Sequence, residues 1–115
     1  MDDKAVWSKA KQEAQEILIA RAKRNDPITY SDLAKCLKTT HFEAHDQRLF
    51  DLLGDISTDE NNAGRGMLSA FVIHKNPDYK PGAGFFELAK KLGLDTSDED
   101  KLWTEEMKKV HSIWS

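Results

Sequence analysis

The chain has a single cysteine, Cys36, and therefore cannot form an internal disulfide. Disulfides persist in oxidising compartments, so this shortage agrees with a reducing cytoplasm. We expect the Cys36 side chain to pack as a small apolar group. The first four residues lack the basic and then apolar order of a secretory signal, and no apolar run exceeds a few residues. The sequence therefore predicts a cytoplasmic protein without a membrane span.

Proline and glycine are also scarce, at three and six residues, and no stretch has the composition of an interdomain linker or an internal repeat. The chain has 115 residues, of which 39% are hydrophobic and 32% are charged. This composition is typical of a globular chain that buries a core, and the length fits one ordinary domain. We therefore predict a single domain over residues 1–115.

Neither sign of charge dominates, since 17 basic residues stand against 20 acidic ones. The distribution is uneven, however, with a net charge of −4 over residues 31–60 and +3 over residues 61–93. Phosphate binding requires clustered lysine and arginine, so a strong general affinity for nucleic acid is not expected. The cations that could form such a cluster are Arg65, Lys75, Lys80, Lys90 and Lys91.

Hydrophobic periodicity predicts a mostly helical α+β fold. The spacing of Trp7, Ala10, Ala14, Ile17 and Leu18 marks one face of a first helix. Helices are predicted over 4–24, 32–37, 44–56, 85–92 and 98–114, short strands over 28–30 and 67–74, and a mobile loop over 57–66. Thr29 or Ser31 would cap the second helix, and Ser97 with Asp100 would form a capping box at the last. This order suggests a winged-helix-like core with a short two-stranded sheet and two C-terminal helices.

Two stretches of the sequence resemble known groups of proteins. The run ITYSDLA at 28–34 resembles the strand-to-helix step of winged-helix domains, including the DNA-binding half of alkyltransferase-like proteins, over about residues 4–75. The alkyltransferases' Pro-Cys-His-Arg motif is missing, so the resemblance implies no repair chemistry. The run GRxMLSA…HK…PGxGFFELA, from Gly64 to Ala89, is similar to a set of small uncharacterised bacterial proteins and implies no particular activity.

The candidate binding residues lie around the second predicted strand: Arg65, His74, Lys75, Lys80, Gly82 and Gly84. The turn at 81–84 opens a helix, whose first amides could hold a phosphate or carboxylate assisted by neighbouring cations. It matches neither a P-loop nor a dinucleotide fingerprint. The alternative is a tight turn whose glycines adopt positive φ and allow Phe85 and Phe86 to pack.

Arg65 lies between two glycines and could grip an anion through parallel hydrogen bonds. Alternatively it pairs internally with an acid of the 55–60 stretch, and the two interpretations stay open. His41 and His45 have a helical spacing that suits a metal, but no third ligand can be named, so neither metal nor cofactor is predicted. No nucleophile is identifiably paired with His74, which leaves enzymatic activity uncertain and disfavoured.

These observations favour a non-catalytic binding or regulatory domain with a protein partner, in an inhibitor, immunity or accessory role. Acidic residues 31–60 would meet a basic partner, because opposed charge patches favour specific encounter between proteins. The first alternative is a winged-helix-like nucleic-acid-binding protein with its recognition helix at 44–56. The second alternative is a small anion- or nucleotide-binding enzyme.

Overall fold

The computed structural model describes residues 3–43, 46–75 and 80–115. Within these ranges the elements are α1 (Asp3–Arg24), β1 (Ile28–Thr29), α2 (Tyr30–Cys36), α3 (Gln47–Asn62), a 3₁₀ helix (Leu68–Phe71), β2 (Val72–Ile73), α4 (Ala83–Lys91) and α5 (Glu99–Trp114). The chain is mostly helical with a small two-stranded sheet, so the predicted α+β class and the two C-terminal helices are confirmed. No helix in the described ranges has the length and apolar character needed to cross a bilayer.

Local signals explain where the first elements begin and end. α1 stops at Arg24 because Asn25 takes a left-handed φ of 52° and Pro27 follows. Thr29 then caps α2, since its side-chain oxygen accepts a hydrogen bond from the amide of Asp32 at 3.1 Å. Thr29, one of the two predicted caps, is therefore confirmed. Cys36 ends this helix with an exposed side chain, so the expectation that it packs in the core was wrong.

The buried stripe of α3 continues further along the chain than its apolar residues indicate. It passes from leucine and isoleucine into polar side chains without losing its helical spacing, through Leu49, Leu52, Leu53, Ile56, Ser57 and Glu60. Ser57 and Glu60 are 0% and 1% exposed, and hydrogen bonds satisfy both. The loop predicted over 57–66 was therefore wrong up to Asn62, because bonded polar side chains occupy core positions there.

The segment 67–74 was predicted as a strand but pairs with another strand only at Val72 and Ile73. Ile28 lies opposite Val72 and Thr29 opposite Ile73, in parallel. β1 offers no further partner, because Pro27 precedes it and α2 begins at Tyr30. The preceding residues form the 3₁₀ helix instead, so the strand prediction was wrong for that part.

Side chains from other helices satisfy the buried backbone of this 3₁₀ segment. The Met67 amide donates to the Glu106 carboxylate at 3.0 Å, and the Ser69 amide donates to Ser57 Oγ at 2.9 Å. The Trp103 indole N–H donates to the Ala70 carbonyl at 2.9 Å. A buried peptide group without a partner costs free energy, so these contacts allow irregular backbone to occupy the centre of the fold.

Two apolar clusters meet on either side of this segment. The larger one joins α1, α2, α3 and Val110 of α5, while the smaller one contains Met67, Ala70, Phe85, Phe86, Ala89 and Leu102. α4 is thus held by the smaller cluster and ends at Lys91. Gly93, two residues beyond, has a φ of 85°, the left-handed conformation that commonly follows a helix. α5 begins with Asp98 as the cap, which accepts from the Lys101 amide at 3.1 Å, so the predicted capping box at Ser97 was wrong.

Candidate functional site

A half-open cleft of about 680 Å³ lies between α3 and α4. One face of each helix lines it: Gln47, Phe50, Asp51, Gly54, Asp55 and Thr58 from α3, and Ala83, Gly84, Glu87, Leu88 and Lys91 from α4. On both helices the lining residues recur at intervals of three and four, which is the spacing of a single helical face. The cleft is therefore a groove that follows the two helices for most of their length.

The floor of the groove is apolar. Phe50 and Leu88 are half-buried, and Leu53 and Phe85 lie beneath them as members of the two cores. The Phe50 ring meets the Tyr30 ring edge-on, with centroids 5.4 Å apart. This edge-to-face contact holds the Phe50 ring against Tyr30 at one end of the floor.

The rim of the groove is acidic. Among the lining residues, Asp51, Asp55 and Glu87 are exposed carboxylates, and Lys91 is a cation. Gln47 donates to Asp51 at 3.0 Å, and the Trp7 indole donates to Asp55 at 3.1 Å. Both donors are neutral, so they position the carboxylates without cancelling their charge. The groove therefore presents negative charge above an apolar floor.

Tyr30, His74 and Gly82 close one end of the groove. The Gly82 amide donates to the Tyr30 hydroxyl at 3.0 Å, and the Tyr30 and His74 rings stack with centroids 4.6 Å apart. A Cβ on Gly82 would lie 2.8 Å from His74 Nε2, which is closer than carbon and nitrogen normally approach. Burial raises the pKa of the Tyr30 hydroxyl, and the hydrogen bond from Gly82 opposes this rise.

Three of the residues singled out in the sequence, His74, Gly82 and Gly84, come together in this cleft. The turn they belong to differs from expectation, because neither Gly82 nor Gly84 has positive φ. Gly82 is instead extended, with a φ of −73°, and allows the close approach of His74. Phe85 and Phe86 are buried, so that part of the tight-turn interpretation agrees with the structure.

The other three residues do not line the cleft. Arg65 donates to the buried carboxylate of Glu60 and lies over the Trp114 ring, 5.7 Å from its centroid. Its predicted internal pairing is confirmed, and the hydrogen bond to Glu60 raises the pKa of the guanidinium. Lys80 pairs with Asp100 at 2.6 Å, and Lys75 is exposed beyond the end of β2.

Little else in the described residues adds a site. The Gly82 amide is already paired with Tyr30, so it does not serve an anion at the start of α4. His41 pairs with Glu43 at 3.0 Å, whereas His45 lies outside the described residues. The residues that the structure describes contain no group of three or more metal-ligating side chains suited to an ion.

Sequence reasoning missed the residues that define the groove. It assigned the acidic stretch 31–60 to a basic partner without assigning Asp51 or Asp55 to a site, and it gave Gly54 no role. A glycine inside a helical pattern, flanked by Asp51 and Asp55 four residues apart, was the available signal. No protein-family model matches this chain, and no curated protein or solved structure matches it significantly.

Proposed function

We propose that this chain is a non-catalytic binding domain that docks a segment of a protein partner in the groove between α3 and α4. The supporting observation is the groove itself, an apolar floor left open between two ordered helices and bordered by carboxylates. Grooves between two helices with apolar side chains at their base are a common docking site for peptide segments. An inhibitor, immunity or accessory role would use this mode.

The chemistry of the groove favours a protein segment over a small molecule. Small-molecule sites place a few converging polar groups at one enclosed spot. Here the carboxylates of Asp51, Asp55 and Glu87 are spread along the rim of a half-open groove. An elongated partner with several side chains would meet all of them at once. Opposed charge would speed the encounter and select for basic partners.

The experiment is site-specific photo-crosslinking in the cells that naturally produce the protein. A photoreactive residue replaces Glu87, which is exposed in the groove, and in a matched control it replaces Ala20, which is exposed on α1. We expect a discrete protein adduct from position 87 and not from position 20. Equal adducts at both positions, or none at position 87, would contradict the proposal.

The nucleic-acid alternative rests on the order of the elements, in which α3 would be the recognition helix of a winged-helix-like fold. The exposed acids Asp51 and Asp55 on α3 oppose phosphate, so we rank this alternative second. The same crosslinking experiment tests it. An adduct at position 87 that shrinks on nuclease treatment would favour nucleic acid, whereas one that a protease alone degrades favours the protein partner.

The anion-binding alternative predicts a different response. Phosphate or a nucleotide would raise the melting temperature of the chain, and Arg65→Ala would remove the effect. We expect no such rise, because Arg65 is occupied by Glu60 and the Gly82 amide by Tyr30. A thermal-shift screen with both anions decides between the two outcomes.

A further inference from the structure

We infer that the groove receives a basic amphipathic helix whose backbone passes closest to the protein at Gly54. This inference rests on the proposed function and specifies the kind of segment that binds there. Three features of the described residues carry it: the length and direction of the groove, the glycine at its midpoint, and the spacing of its carboxylates.

The dimensions of the groove match a helix of a few turns. The lining face of α3 runs from Gln47 to Thr58, which is roughly 16 Å at the rise of an α-helix. The lining face of α4 runs from Ala83 to Lys91, which is roughly 12 Å. A third helix laid between two helices buries its apolar face against both, with anchors recurring every three or four residues. The floor offers Phe50 at one end and Leu88 opposite.

Gly54 is the residue that the fold itself does not explain. It lies within α3, it has no positive φ, and a Cβ built on it would meet only Leu88 Cδ2, at an ordinary contact distance of 3.9 Å. Alanine would fit there and would favour the helix, because glycine is a poor helix former. Because it lacks a side chain, glycine allows another backbone to come close. In the groove, that backbone belongs to the occupant.

The carboxylates specify the charge of the occupant. Asp51 and Asp55 lie one turn apart on α3 on either side of Gly54, and Glu87 lines the same groove from α4. Lysine or arginine residues four apart on a helix would present cations at the same spacing. An acidic segment would instead meet three carboxylates and the single lysine among the described lining residues, Lys91. The occupant is therefore cationic on its flanks and apolar in its centre.

The test is selection of peptides from a displayed library of random sequences of about 15 residues, enough for roughly four helical turns. Selection uses the full chain, and the enriched peptides are synthesised and measured against four proteins. These are the unaltered chain, Gly54→Ala, Gly54→Leu, and the matched control Ala20→Leu on the exposed face of α1. Circular dichroism confirms that each variant is folded, and it also reports whether a peptide becomes helical on binding.

We expect enriched peptides to carry Lys or Arg at four-residue intervals beside aliphatic or aromatic anchors, and to gain helicity when bound. Gly54→Ala should weaken binding by about tenfold and Gly54→Leu should abolish it, while Ala20→Leu leaves it unchanged. Asp51→Asn with Asp55→Asn should weaken it and reduce its salt dependence.

Three results would overturn the inference. Enriched peptides could be acidic, could stay non-helical when bound, or could bind the Gly54 variants as well as the unaltered chain. Each of these outcomes leaves the docking proposal intact if a protein crosslinks at position 87. Failure of that crosslink, by contrast, removes the docking proposal itself.

Discussion

Replacing Gly54 by alanine should make the protein more stable. Gly54 lies inside α3, where glycine costs about 0.5–1 kcal/mol relative to alanine because it loses more backbone freedom on folding. The new methyl group would lie 3.9 Å from Leu88 Cδ2 and within 4 Å of no other atom outside its own helix and chain neighbours. It therefore introduces no overlap and buries little extra surface, so the propensity term sets the magnitude.

The expected change is measurable by thermal unfolding. Unfolding entropy near the midpoint is about 2.1 cal/mol/K per residue, which gives roughly 0.24 kcal/mol/K for a chain of this length. A gain of about 0.5–1 kcal/mol therefore corresponds to a rise of roughly 2–4 °C in Tm. Far-UV circular dichroism during heating measures this directly, with urea unfolding as an independent estimate of the same free energy.

Gly82→Ala is the matched control, because the same chemical change should act in the opposite direction. Its Cβ would lie 2.8 Å from His74 Nε2, so the imidazole must move and lose its stacking on Tyr30. Alanine is also a poorer helix cap than glycine, and we expect a loss of about 1–2 kcal/mol. If Gly54→Ala lowered Tm as well, the fold would require that glycine, and the case for an occupant at Gly54 would fail.

Three further predictions concern single interactions. Ser57→Ala leaves the buried Ser69 amide and hydroxyl without their partner, and should cost about 1–3 kcal/mol in urea unfolding; an unchanged midpoint would show that Ser69 bonds elsewhere. Thr29→Ala removes the cap of α2 and should cost about 1 kcal/mol, whereas Thr29→Ser should cost much less; equal losses would refute the cap. Burial raises the pKa of Tyr30 in the folded chain, so the unfolded chain ionises first and stability should fall as pH rises above the ordinary value of 10.0. Tyr30→Phe should flatten this alkaline decline in unfolding free energy, and parallel declines would contradict the assignment.

The helices with clear apolar stripes could be predicted from the sequence, and the central segment could not. Residues 67–73 are wholly buried and rich in strand-forming types, so their pattern predicted a strand. Whether they pair depends on how much of another strand is available, and β1 offers only Ile28 and Thr29. The remaining amides find side chains such as Glu106, which is distant in sequence. No local pattern carries that information.

The candidate site shows a related limit. His74, Gly82 and Gly84 could be singled out because a turn that opens a helix is visible in the sequence. The rest of the groove arises because α4 lies beside α3, and this arrangement depends on the smaller core around Phe85 and Leu102. Asp51 and Asp55 are ordinary surface acids until α4 is placed next to them. Tertiary packing, rather than local sequence spacing, places these two carboxylates at the rim of the groove.

The sign of the charge presented by the groove depends on which charged side chains are already paired within the chain. The sequence directed attention to the cations of 61–93, but Arg65 is held by the buried Glu60 and Lys80 is bonded to Asp100. The carboxylates of Asp51 and Asp55, by contrast, have neutral donors and keep their charge exposed in the groove. The charges that can attract a binding partner are those that the fold has not already neutralised. Arg65 and Lys80 therefore serve the fold, whereas Asp51 and Asp55 keep exposed negative charge on the face of α3 that lines the groove.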